Sequence, residues 1–175
     1  AYCNNTICTP SRVSILSGQY CHNHRYYGLS GPQPESLPSL LGHFREHGYR
    51  TGAIGKMHCP DYWLEDDADV FLEAANSSVG GSPEYERYLR ERGLLALRDD
   101  RRYPEHPQMS LDARPSSLQY QDTVDGWIAR QAMDFIGGSG ADAAPFFLHM
   151  SFPHPHQVYA PAQEFWDLYP EESIE

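Results

Sequence analysis

Basic residues are scarce in this chain. Thirteen lysines and arginines stand against 24 acids, a net charge of −11. That deficit excludes a general grip on nucleic acid phosphates. It leaves room for an anionic substrate, because a local cationic pocket can sit inside an acidic surface. Cysteine is sparse too. Cys3, Cys8, Cys21 and Cys59 form no C-x-x-C pair and three of them lie near one end, so this is not a disulfide-dense scaffold. No apolar run approaches the roughly 20 residues of a membrane-spanning helix. The chain starts at Ala1 with no initiator Met and no signal-like leader, which leaves the compartment open and leads us to expect a piece of something longer.

What is present suits one packed domain. Hydrophobic residues make up 40 % of 175 and aromatics 13 %, which is globular composition. Thr9 is suited to cap a short helix, with Pro10 at its first position and Gly18 at its end. Residues 21–36, rich in His, Tyr, Gly and Pro, read as loop. The spacing of Leu37, Leu40, Leu41 and Phe44 predicts a helix over 36–47 capped by Ser36. "YRTGAIGK" then reads as a strand. Residues 60–82 are a long excursion, and its acids Glu65, Asp66, Asp67 and Asp69 read as a solvated loop. Residues 83–92 predict a polar helix, 98–117 a proline-rich loop, and 117–136 a strong helix carrying Val124, Trp127, Ile128, Ala132 and Phe135. "PFFLHMSF" (145–152) predicts a buried strand, and 161–168 a short final helix. Helix followed by strand implies an α/β fold, with a partial mixed or parallel sheet flanked by helices. Neither an internal repeat nor an interdomain linker is visible.

Three segments carry chemistry. In "CTPSR" (8–12), Cys8 precedes a helix start, where unpaired N–H groups and the helix dipole favour negative charge, and Arg12 follows one turn on. In "GKMH" (55–58), Lys56 and His58 leave a strand two residues apart, so extended backbone would point both the same way. They could bind an anionic oxygen and move a proton. "SFPHPH" (151–156) puts His156 at a second strand exit, while His154 reads as an incidental loop residue. Taken singly, each segment has a plain structural reading: a capped helix with a surface arginine, an exposed loop, a proline-rich turn. Together they assemble as α/β active sites do, from separate strand and helix ends.

These residues resemble the sulfatase family, part of the alkaline-phosphatase-like group. "CTPSR" followed by "LSG" is similar to its C-x-P-S-R signature, "GKMH" to its Gly-Lys-x-His, and "PFFLHMSF" with "PH" to its strand-then-histidine segment, all in family order. The resemblance implies that residues 1–175 are one partial catalytic domain, lacking an upstream strand with paired aspartates and a downstream part. It implies that a maturation enzyme oxidises Cys8 to formylglycine, guided by Pro10 and Ser11. One hydroxyl of the hydrated aldehyde would attack the sulfur of a sulfate ester, and the second would expel sulfate. In that scheme Arg12 holds the hydrate, Lys56 binds a sulfate oxygen, His58 takes a proton, and His156 contacts sulfate or protonates the departing oxygen. The family also binds a divalent cation, usually Ca²⁺, through oxygen ligands. Only Cys8, as formylglycine, would supply a ligand from this chain, so activity of residues 1–175 alone is not expected.

The expected substrate is a small-molecule or carbohydrate sulfate ester, with no nucleic acid partner and no membrane span. Three rivals stand beside this: a phosphonate or phosphate ester hydrolase of the same group, a zinc module built on the four cysteines and histidines, and an unmodified homologue serving as a binding protein. The cysteine spacing fits no common zinc pattern.

Overall fold

The computed structural model describes residues 2–31, 37–60, 63–74, 82–98, 113–138, 144–156 and 159–173. Three strands form one parallel sheet: β1 (Arg50–Gly55) lies between β2 (Val70–Glu73) and β3 (Phe146–Ser151). Gly52 pairs with Val70 and Gly55 with Glu73; on the other side Arg50 pairs with Phe146 and Gly55 with Ser151.

The central strand divides the core. Thr51 to Gly55 are all buried, as a parallel strand covered on both faces requires. Successive side chains leave a strand on opposite faces. Ile54 accordingly joins Tyr85, Leu89, Trp127, Ile128 and Phe135, while Ala53 joins Leu16, Leu41, Met57 and Leu64. The first cluster is supplied by α4 (Pro83–Glu91) and α5 (Val124–Gly137), the second by α1 (Cys8–Ser17) and α3 (Leu40–Glu46). Two short helices, α2 (Cys21–His24) and α6 (Gln163–Trp166), complete the set. Among the described residues no helix is long and apolar enough to cross a membrane.

The strand at 50–55 and the helix at 83–91 lie where their patterns put them. Other boundaries move, each for a local reason. The helix read as 36–47 starts at Leu40, because Ser39 and not Ser36 accepts the Gly42 N–H, at 2.8 Å; Ser36 lies outside the described residues. The helix read as 117–136 starts at Val124, capped by the Thr123 hydroxyl. A Cβ at Gly126 would stand 2.0 Å from the Tyr120 carbonyl oxygen. The 3₁₀ turn Tyr120–Asp122 therefore folds back across the helix start and cannot extend it. The final helix shortens from 161–168 to Gln163–Trp166.

Three expectations need larger correction. The stretch 21–36 is not all loop: α2 occupies its start and buries His24, whose Nδ1 accepts the Tyr26 N–H and whose Nε2 meets Ser14 Oγ at 2.9 Å. The excursion 60–82 contains β2. Its acids are not all solvated either, since Asp69 accepts the Thr51 N–H at 2.8 Å and Asp67 accepts the Ser39 hydroxyl. Strand β3 is only partly buried, with Phe146 and Met150 exposed, because among the described residues it pairs only with β1. Much of the proline-rich segment 98–117 lies outside the described residues.

The exits of β1 and β3 leave no room for a side chain at Gly55. Gly55 has φ +108°, and a Cβ there would stand 2.0 Å from the Ser151 carbonyl oxygen. That same oxygen accepts the Lys56 N–H at 2.8 Å. Gly48 also has positive φ, +79°, but nothing lies within 4 Å of its Cβ position. Gly55→Ala should lower the unfolding free energy by about 3 kcal/mol or more. Gly48→Ala should cost about 1–2 kcal/mol, for the left-handed conformation alone. Urea unfolding of both variants checks this; equal losses would mean that crowding at the Ser151 carbonyl does not matter.

Candidate active site

Helix α1 begins at Cys8 itself. Ile7 is the N-cap, in extended backbone with no side-chain capping bond. Thr9 is therefore not the cap: it is the second helical residue, and its buried hydroxyl has no hydrogen-bond partner. Pro10 is third and not first. Its missing N–H costs nothing there, because first-turn N–H groups have no acceptor within the helix. Gly18, in left-handed conformation, ends the helix by donating its N–H to the Ser14 carbonyl. Cys8 is thus held, half-buried, on the first turn, with Arg12 one turn later.

Arg12 reaches from α1 to the exits of both strands. Its Nη1 donates to the Lys56 carbonyl oxygen and to Ser151 Oγ, each at 2.7 Å. Burial lowers its pKa from the ordinary value, yet a guanidinium stays charged. Lys56 is only 3 % exposed, so it is not the surface residue of a plain loop. Burial lowers its pKa too, with Cys8 and Arg12 the charges that act on it.

His58 does not continue an extended strand. Its φ is +49°, a left-handed value uncommon outside glycine, so the chain turns where two residues in extended backbone had been expected. Its Nδ1 is buried without a hydrogen-bond partner. Burial, followed by the positive charges of Lys56, Arg12 and His156, lowers its pKa to about 4. His156 lies in the turn after β3, where its N–H donates to the Pro153 carbonyl at 3.2 Å. Cys8, Arg12, Lys56, His58 and His156 thus come from three separate segments to the carboxyl ends of β1 and β3, where open α/β sheets collect ligands.

Three further residues belong to this neighbourhood. His149 and Ser151 share one face of β3, and with Cys8, Arg12, Cys3 and Ile15 they line one pocket. His149 Nε2 is buried and unpartnered, and burial followed by Arg12 lowers its pKa. The two-residue spacing inside "HMS" was the one available signal for that shared face. His154 is not incidental: its Nδ1 lies 2.7 Å from Asp125 Oδ2 on α5, tying the His156 turn to that helix.

All four cysteines are unpaired. Burial pushes the Cys59 thiol up to about 12, and it donates to the Met57 carbonyl. Among the described residues no group of three or more His, Cys, Asp or Glu side chains is placed to hold an ion. By themselves the described residues supply neither a Ca²⁺ site nor the cysteine–histidine cluster of a zinc module.

The low pKa of His58 has a signed consequence. Its folded value of about 4 lies below the ordinary 6.5, so the unfolded chain binds that proton more readily. Its contribution to stability is complete above pH 6.5 and declines as pH falls from there toward about 4. His58→Gln should flatten that part of the stability–pH curve. NMR titration should find the His58 ring neutral at pH 6; a midpoint near 6.5 would contradict the burial argument.

Comparison with known proteins agrees with this architecture. The Sulfatase family model matches residues 1–173. A choline-sulfatase from Rhizobium meliloti (strain 1021) is 28 % identical over 96 % of this chain and 33 % of its own length. An arylsulfatase from Clostridium perfringens (strain 13 / Type A) is 25 % identical over 99 % of this chain and 38 % of its own. Among solved structures, the phosphonate monoester hydrolase SpPMH from Silicibacter pomeroyi superposes with a TM-score of 0.69 at 19 % identity, over 99 % of this chain and 37 % of that one. The chain thus spans about a third of the length of the curated relatives it matches. With the family model matched from residue 1 to residue 173, the chain belongs to the sulfatase family.

Proposed function

We propose that the protein containing this chain hydrolyses a sulfate ester, with Cys8 acting after oxidation to formylglycine by a maturation enzyme. The reading rests on one observation: the half-buried Cys8 shares a pocket with Arg12, whose guanidinium is hydrogen-bonded to the backbone of the buried Lys56. A hydrated aldehyde at position 8 would supply two geminal hydroxyls, one to displace the alcohol from sulfur and one to let sulfate leave. Arg12 has three N–H donors beyond the two on Nη1, and these would hold the hydrate and a sulfate oxygen. Lys56, withdrawn from water, would offset charge on the transferring group more strongly than an exposed lysine could. His58 is neutral at working pH and its Nδ1 has no partner, so it is able to accept a proton. His156 would protonate the departing oxygen. The substrate would be a sulfated small molecule or carbohydrate. Any divalent cation would draw its carboxylates from outside these residues.

The structural likeness to a phosphonate monoester hydrolase favours a second reading, hydrolysis of a phosphonate or phosphate ester at the same residues. An unmodified Cys8 in a binding protein is the third.

Peptide mass spectrometry over residues 1–12 of protein from its native host should find an aldehyde, not a thiol, at position 8. The full-length protein should cleave an aryl sulfate faster than an aryl phosphodiester, and Lys56→Ala should lower kcat by about 10²-fold or more. A fully active protein retaining the Cys8 thiol would end the formylglycine proposal, and the reverse substrate preference would install the second reading.

A further inference from the structure

Among the described residues Ser151 supplies the only side chain to which Arg12 hydrogen-bonds. Arg12 Nη1 carries two hydrogens. One goes to the Lys56 carbonyl and the other to Ser151 Oγ, both at 2.7 Å. The serine is itself fixed: its carbonyl oxygen accepts the Lys56 N–H at 2.8 Å, at the place where Gly55 lets the two strands touch.

A guanidinium is planar, so committing both Nη1 hydrogens fixes the plane and leaves Nε and Nη2 as one free edge. A single bond to the Lys56 carbonyl would allow the group to swing about it. The second bond removes that freedom before any anion arrives. Cys8 and Arg12 line the same pocket as Ser151, so the orientation held by the serine is presented where an anion would be bound.

We propose that Ser151 is a positioning residue for the reaction: its hydroxyl locks the Arg12 guanidinium so that the remaining donor edge faces the Cys8 pocket. In this role the serine acts through Arg12 and not on the reacting atoms. The choice of assay rests on the sulfate-ester reading; the coupling itself does not.

A double-mutant cycle in the full-length protein tests this. Kinetics use an aryl sulfate, or an aryl phosphodiester if the wild type prefers it, so a failure of the sulfatase reading shows as a change of substrate and leaves the cycle intact. Ser151→Ala should lower kcat/KM about tenfold. Ser151→Thr, which keeps the hydroxyl, should restore most of it. On an Arg12→Lys background, Ser151→Ala should cost nothing further. Calorimetric titration with inorganic sulfate, which needs no turnover, should follow the same pattern: several-fold weaker binding in Ser151→Ala, recovered in Ser151→Thr. Additive losses in the cycle, Ala and Thr variants equally impaired, or sulfate binding unchanged in Ser151→Ala would each overturn the proposal.

Discussion

Everything at the site depends on one guanidinium. Arg12 leaves the first turns of α1 and ends on the exits of β1 and β3 through two bonds from a single nitrogen. Hydrogen bonds from a charged donor contribute roughly 1.5–3 kcal/mol each. They join segments separated by 44 and 139 residues, which nothing local would hold together. The helix carrying Cys8 is otherwise anchored by its apolar face, chiefly Val13 and Leu16, and by the Ser14–His24 hydrogen bond to α2. Arg12 therefore fixes where Cys8 stands relative to Lys56.

The electrostatics follow from that junction. A molecule of net charge −11 concentrates a guanidinium and a buried ammonium at one end of its sheet. Among the described residues no acid pairs with either cation, so the positive field falls on the neighbouring imidazoles. Burial and the charge of Arg12 lower the pKa of both His58 and His149, and Lys56 lowers that of His58 as well. A half-buried guanidinium and a buried ammonium beside two imidazoles of lowered pKa form a place where an anion would be welcome.

Part of this was legible in the sequence. The central strand and the helix at 83–91 announced themselves by period and by their Gly and Ser punctuation. Cys8, Arg12, Lys56, His58 and His156 could be picked out because each sits in a short, ordered motif. Strand β2 escaped because its apolar run, Val70 to Leu72, is three residues long between acids. The helix starts slipped because capping is decided by which hydroxyl reaches an N–H, and Ser36 and Ser39 look alike in a string. Ser151 and the Asp125–His154 tie were out of reach for a different reason: they are contacts between distant segments, and no local pattern encodes them.

Residue 56 serves two masters with separate atoms. Its carbonyl and its N–H stitch the helix and the neighbouring strand into place, and both belong to the main chain. Only the ammonium at the tip is left for reactivity. Architecture and chemistry are therefore divisible at this one position: an uncharged side chain of similar length would remove the charge at the tip and leave the stitching intact.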